Sequence, residues 1–248
     1  MSTHGKTKVL VITGDGINCE RESARAFNDA GGESTILHVN ALLDQPKLLR
    51  EFSVFCIPGG FSFGDELRSG KILAEKMRVR LPEELELFVN KGGFTIGICN
   101  GFQVLIQLGA FSGIRGHRKI TLATNDHGAF LDRWVGLELT DCAKKSDWFR
   151  DLSGTFYMPM RHKEGRIVLK DESTQVLFPL RYEEEVNGSY ARSAAVLDQS
   201  GRTLGMMPHP EAATHGFLSP LRQTTEEKKL NARKVQKIFE NAIQGAKS

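Results

Sequence analysis

Three separated segments of this chain carry the residue types of a nucleophilic acyl-transfer centre. The first is Gly97-Ile98-Cys99-Asn100-Gly101, directly after the apolar run Phe94-Thr95-Ile96. A strand that turns into a helix with a cysteine at the corner presents the sulfur at a strand end and a helix N-terminus. There the helix dipole and backbone N–H groups stabilise a thiolate. Glycines two positions before and after leave room for the tight turn and for another backbone and a substrate to approach. The second segment is Met207-Pro208-His209-Pro210-Glu211. Prolines on both sides stiffen it, and in an extended segment residues i and i+2 point the same way. Glu211 can then orient one nitrogen of His209 while the other faces the sulfur, giving nucleophile, base and orienting acid. The third is Pro58-Gly59-Gly60-Phe61-Ser62-Phe63-Gly64-Asp65, a glycine-rich loop whose amides can donate to an oxyanion beside the N–H of Asn100.

Each segment alone has a plainer reading: a cysteine as apolar filler, His-Pro-Glu as a surface turn, Gly-Gly as a turn. Their combination favours the chemical one. The glycine loop lacks the Gly-x-x-x-x-Gly-Lys-Ser/Thr pattern of a phosphate cradle, and Gly14-Asp15-Gly16 reads as a strand-end turn. His209 and His215 are without a nearby third ligand, so no metal is expected. The four cysteines, Cys19, Cys56, Cys99 and Cys142, contain no Cys-x-x-Cys pair. That spacing suits neither a zinc site nor a disulfide framework, and Cys56 lies in an apolar run as an inert core residue. Arg161-His162-Lys163-Glu164-Gly165 reads as a solvated polar loop, with a binding role near the site as the alternative.

The elements that must position these residues follow from hydrophobic periodicity. Strands are expected over residues 8–13, 34–39, 52–57 and 94–98, and helices over 19–30, 67–77, 82–91 and 100–108, with a short helix or turn over 42–51. That alternation argues a parallel sheet covered on both faces. The second half differs: short strand candidates at 137–140, 155–160, 166–169 and 175–178 suggest antiparallel additions to the main sheet. Residues 193–197 and 203–207 flank Asp198-Gln199-Ser200-Gly201 as a hairpin. Leu230, Val235, Ile238, Phe239 and Ala242 recur at helical spacing over 225–242, the pattern of a docked amphipathic helix. One domain over residues 1–248 is expected. The net charge of +3, from 33 basic and 30 acidic side chains, gives no footprint for nucleic acid. No run is long enough for a membrane span or a signal segment, which points to a cytoplasmic protein.

Together these segments resemble the class I (triad) glutamine amidotransferases, in that family's order and over most of residues 8–211. Gly97-Ile98-Cys99-Asn100-Gly101-Phe102-Gln103 with His209-Pro210-Glu211 carries the class resemblance. Gly59-Gly60-Phe61-Ser62-Phe63-Gly64-Asp65, Leu67-Arg68-Ser69-Gly70 and Asn18-Cys19-Glu20 look most like its glutaminase subunits of purine biosynthesis. The resemblance implies a flavodoxin-like fold in which Cys99 attacks the carboxamide of glutamine and forms a γ-glutamyl thioester. His209 then moves the protons and Glu211 orients it. Gly59, with the N–H groups of Gly60 or Phe61 and of Asn100, would bind the substrate oxyanion, and Gln103 would help hold the substrate. No metal or organic cofactor is implied in this chain. ATP and Mg belong to a separate synthetase that converts formylglycinamide ribonucleotide to its amidine, in an assembly with room for a small third subunit. An amidotransferase serving a different synthetase, or a non-catalytic module of the same fold, are the alternatives. The chain departs from the subunit's pattern at Gly14-Asp15-Gly16-Ile17, at Lys163 and over residues 212–225.

Overall fold

The computed structural model describes residues 5–62, 70–111, 119–170 and 176–247. Three strands, β1 (Lys8–Thr13), β3 (Val54–Ile57) and β4 (Phe94–Ile98), are apolar along nearly their whole length and buried almost throughout. Only the middle of a parallel sheet with covered faces offers that environment. With β2 (Glu33–His38), β10 (Ala195–Leu197) and β11 (Thr203–Met206) they form a six-stranded sheet in the order β10-β11-β4-β3-β1-β2. All neighbours run parallel except β10 against β11.

The covering helices are α1 (Glu20–Asp29), α2 (Val39–Asp44), α3 (Lys71–Arg80), α4 (Pro82–Asn90), α5 (Asn100–Leu108) and α6 (Thr225–Gly245). Helix α6 opens with a capping box, Thr224 and Glu227 each accepting from the other's backbone N–H. It buries Val235, Ile238, Phe239 and Ala242 completely and leaves Leu230 exposed. Phe239 meets Phe27 of α1 edge-on, with ring centroids 4.9 Å apart. Residues expected as one element over 42–51 divide into α2 and a 3-10 turn, Pro46–Glu51. Pro46 has no N–H with which to continue α2, so the chain restarts there. The helix expected over 67–77 begins, within the described residues, at Lys71 and runs on to Arg80.

The second half corrects one expectation. Among the described residues only β10 adds an antiparallel strand to the main sheet. The other late strands build two small sheets of their own: β5 (Ile120–Thr124) with β8 (Glu164–Leu169), and β6 (Leu131–Leu139) between β7 (Phe156–His162) and β9 (Leu180–Tyr182). No strand forms over the described part of residues 175–178, where Leu177 makes a single bridge to Leu197. Buried side chains of both halves nevertheless belong to one continuous hydrophobic cluster.

Candidate active site

The site is assembled at the C-terminal ends of β3, β4 and β11. Strands β4 and β11 pair in parallel register, with Gly97 opposite Gly205 and Ile98 opposite Met206. That register brings the turn after β4 and the segment after β11 to the same edge. Cys99 occupies the turn itself, with φ 50° and ψ −103°, a backbone region L-residues rarely adopt and one that stores strain. Its N–H donates to the Met206 carbonyl at 2.8 Å, which clamps the elbow to β11. Helix α5 starts at the next residue and passes so close to β3 that a Cβ on Gly101 would stand 1.8 Å from the Ile57 carbonyl oxygen. A side chain there would push the helix, and the sulfur at its start, away from the sheet.

His209 is 4% exposed and Glu211 4% exposed. His209 Nδ1 and Glu211 Oε1 are 2.6 Å apart. The alternation of an extended segment does not produce this pairing. Pro210–Ala212 is a 3-10 turn, and the turn folds the carboxylate back onto the ring. The His209 N–H donates to the Pro159 carbonyl at 2.8 Å, tying the base to β7. His209 Nε2 closes no hydrogen bond, and the Cys99 and Cys19 sulfurs both lie close enough to act on the ring. Burial alone would push the imidazolium down. The Glu211 carboxylate and the Cys99 sulfur outweigh it and hold His209 well above its ordinary range. This is an imidazole suited to hold a proton.

The glycine loop meets the same edge. A Cβ on Gly59 would lie 2.7 Å from His209 Cε1, and Gly60 takes φ +146° with its Cβ position 2.4 Å from the Gly16 carbonyl oxygen. The Phe61 N–H donates to that Gly16 carbonyl at 2.7 Å, so in this structure the amide holds the loop. Ser62 N–H donates to Asn100 Oδ1 at 3.2 Å, fastening the loop to the start of α5. Phe63, Gly64 and Asp65, and the motif residues Leu67, Arg68 and Ser69, lie outside the described residues.

Gln103 is 6% exposed and works inside the protein. Its Nε2 donates to the Glu164 carbonyl at 2.6 Å, and its Oε1 accepts from Asn100 Nδ2 at 3.0 Å. It therefore ties the start of β8 to the first turn of α5. The loop expected over residues 161–165 is instead the passage between two strands of different sheets: Arg161 and His162 end β7, and Glu164 and Gly165 begin β8. Arg161 and Lys163 are exposed, whereas His162 is buried. The Cys99 thiol donates to the Arg161 carbonyl at 3.5 Å. His162 is 3% exposed with both ring nitrogens unpartnered, and burial, with lesser repulsion from His209 and His127, pushes its pKa to about 3. The sequence signal for its burial is the glycine three positions on: a Cβ on Gly165 would overlap the His162 ring at 2.2 Å.

Cys56 is fully buried and its thiol is pushed far up by burial, as its apolar run implied. Cys19 was singled out only within a resemblance, and the structure brings it to the site. It precedes α1, its N–H donates to the Gly59 carbonyl at 3.3 Å, and it shares a cluster of ligand-type atoms with His209 and Glu211. The thiol of Cys19 therefore stands beside the buried His209–Glu211 pair.

Comparison with known proteins agrees with this geometry. A family profile described as a CobB/CobQ-like glutamine amidotransferase domain matches residues 6–244. The chain is 35% identical to the phosphoribosylformylglycinamidine synthase subunit PurQ of Dehalococcoides mccartyi, over 98% of this chain and 98% of that protein. It is 34% identical to the subunit of the same name from Methanococcus maripaludis, over 96% and 94% of the two chains. Among solved structures, PurLQS from Thermotoga maritima superposes with a TM-score of 0.78 at 29% identity, covering 97% of this chain and 99% of that one. A glutamine amidotransferase from Thermotoga maritima, at 15% identity and a TM-score of 0.62, shares the fold over 99% of this chain and 100% of its own. With the elbow cysteine, the buried His–Glu pair and a profile spanning nearly its whole length, the chain belongs to the CobB/CobQ-like glutamine amidotransferase family.

Proposed function

We propose that this chain is the glutaminase subunit of a phosphoribosylformylglycinamidine synthase. It hydrolyses glutamine to glutamate and ammonia for a separate synthetase subunit, which converts formylglycinamide ribonucleotide to formylglycinamidine ribonucleotide. The observation that carries the chemistry is a single edge of the sheet holding a strained Cys99 and a buried His209 paired to Glu211 at 2.6 Å. The subunit identity is supported by relatives of that name matching over nearly full length.

In this reading the Cys99 sulfur attacks the glutamine carboxamide carbon. The tetrahedral oxyanion meets the Gly60 amide and the amide of Asn100 at the start of α5. His209, having taken the thiol proton, passes it to the departing nitrogen, and ammonia leaves as the γ-glutamyl thioester forms. His209 next takes a proton from water, the hydroxide adds to the thioester, and Cys99 leaves as glutamate is released. Glu211 holds the imidazole orientation and charge through both steps. This half-reaction uses no metal or organic cofactor of the chain, and ATP and Mg act in the partner. Among the described residues no helix is long and apolar enough to cross a membrane; we place the subunit in the cytoplasm with the synthetase whose nucleotide substrate is made there.

Free ammonia is mostly ammonium at neutral pH and is lost to solvent, so the isolated subunit is expected to be weakly active. The test is glutamine turnover with and without the synthetase, together with labelling by a glutamine-analogue electrophile. Activation by the synthetase and modification of Cys99, with Cys56 unlabelled, support the reading. Equal turnover alone and in complex would remove the coupling, and full turnover by Cys99→Ser would remove the nucleophile.

A further inference from the structure

Cys19 stands where the proposed reaction gives it no task. Its half-buried sulfur faces the same Gly59 surface as the catalytic imidazole. The Cβ position of Gly59 is 3.3 Å from Cys19 Sγ and 2.7 Å from His209 Cε1. One ligand atom from each of Cys19, His209 and Glu211 lies within 4.8 Å of the other two. The cluster also holds two buried polar atoms without a hydrogen-bond partner, His209 Nε2 and Glu211 Oε2.

Thiolate, imidazole and carboxylate together form a borderline-soft donor set. Hard cations such as magnesium and calcium prefer six or more oxygens and are poorly served by it. A tetrahedral zinc ion, with bonds of about 2.0 to 2.3 Å, holds its ligand atoms roughly 3.3 to 3.8 Å apart. Ligand atoms already within 4.8 Å of one another reach that spacing by side-chain rotation, and a water can take the fourth position. We propose that Cys19, His209 and Glu211 form a binding site for Zn2+ that inhibits the enzyme when filled. On binding, the Cys19 thiol gives its proton to solvent and its sulfur bonds the metal. The imidazole commits a lone pair, and Glu211 turns from the ring to the ion. His209 can then no longer take the Cys99 proton. Cys99 is not a ligand, so its chemistry is blocked through its base. The inhibition rests on the glutaminase reading, whereas the binding does not.

The experiment uses the full chain with Co2+ as a spectroscopic probe and Zn2+ as competitor. Wild type and Cys99→Ser are expected to take up one equivalent of Co2+ with a thiolate-to-cobalt charge-transfer band that Zn2+ removes. Cys19→Ser is expected to lose the band and to bind Zn2+ at least tenfold more weakly. Should Cys19→Ser fail to fold, as judged by circular dichroism, the wild-type chain decides: Zn2+ should protect Cys19 from iodoacetamide, as read by mass spectrometry. A band that survives in folded Cys19→Ser, a band lost in Cys99→Ser, or unprotected Cys19 overturns the site. Binding as described with glutamine hydrolysis unchanged at saturating Zn2+ overturns the inhibition. A chain that binds Zn2+ in this way but hydrolyses no glutamine with its synthetase supports the site and refutes the functional reading.

Discussion

Gly59 packs against the imidazole of His209: a Cβ at Gly59 would stand 2.7 Å from His209 Cε1. Its Nδ1 is held by Glu211 at 2.6 Å, so the ring cannot shift away without disturbing that pair. Gly59→Ala should therefore lower kcat on the order of 10²-fold, the usual cost of displacing a catalytic group by about an ångström. Steady-state glutamine hydrolysis measured with the synthetase present checks this, and a near-normal kcat would mean the ring has slack.

Glu211 holds His209 above its ordinary range against the opposing effect of burial. Glu211→Gln keeps the shape and removes the charge. The imidazolium then loses its proton at lower pH, and the basic limb of the kcat/KM profile should shift to lower pH, with turnover reduced on the order of 10²- to 10⁴-fold. An unmoved basic limb would show that His209 does not set it.

Cys99 stores backbone strain at φ 50° and ψ −103°. Glycine tolerates such angles and alanine does not, so Cys99→Gly should be more stable than Cys99→Ala by about 1–2 kcal/mol. Both variants should lack glutamine hydrolysis. Urea unfolding midpoints of the pair provide the comparison, and equal midpoints would argue that the turn is unstrained.

His162 supplies a pH dependence of stability. Its folded pKa of about 3 lies below the ordinary 6.5, so between these values the unfolded chain binds the proton and the folded chain does not. Stability is lost as pH falls from about 6.5 toward 3, at no more than about 1.4 kcal/mol per pH unit from this group. Above that window the group is neutral in both states. His162→Leu should flatten this part of the stability profile, measured by denaturant titration at each pH, and a parallel profile would exclude His162 as the source.

Phe239 anchors α6 through its edge-on contact with Phe27, with no exposed surface. Phe239→Ala should destabilise the fold by about 3–5 kcal/mol. The ring contact of Phe239 is with Phe27 and not with Cys99, His209 or Glu211, so kcat per folded molecule should hold at low temperature while the thermal midpoint falls.

The strands β1 and β4 and the helix α5 were legible to the residue because their signals are local. An unbroken apolar run, a glycine stop and an elbow glycine are written in consecutive residues. The types and order of Cys99, His209 and Glu211 named the chemistry for the same reason. Less was legible where an element depends on what it pairs with. Strands β5 and β9 were missed, and β6 is longer than its apolar core suggested, because a half-exposed strand takes its definition from its partner.

What the sequence alone determined is the backbone of its strongly patterned segments, such as the strands β1 and β4 and the sharp turn into α5, and which side chains can act as nucleophile, base and acid. What only the tertiary structure decided is their meeting. The parallel register of Gly97 with Gly205 sets β4 and β11 side by side and brings their ends together. It is also the fold that spends the Phe61 amide on Gly16, buries His162, and sets Cys19 beside His209. Periodicity reports whether a residue is buried and how its neighbours along the chain are arranged. Which distant strand ends share an edge depends on how whole faces pack, and that information is spread over the entire core.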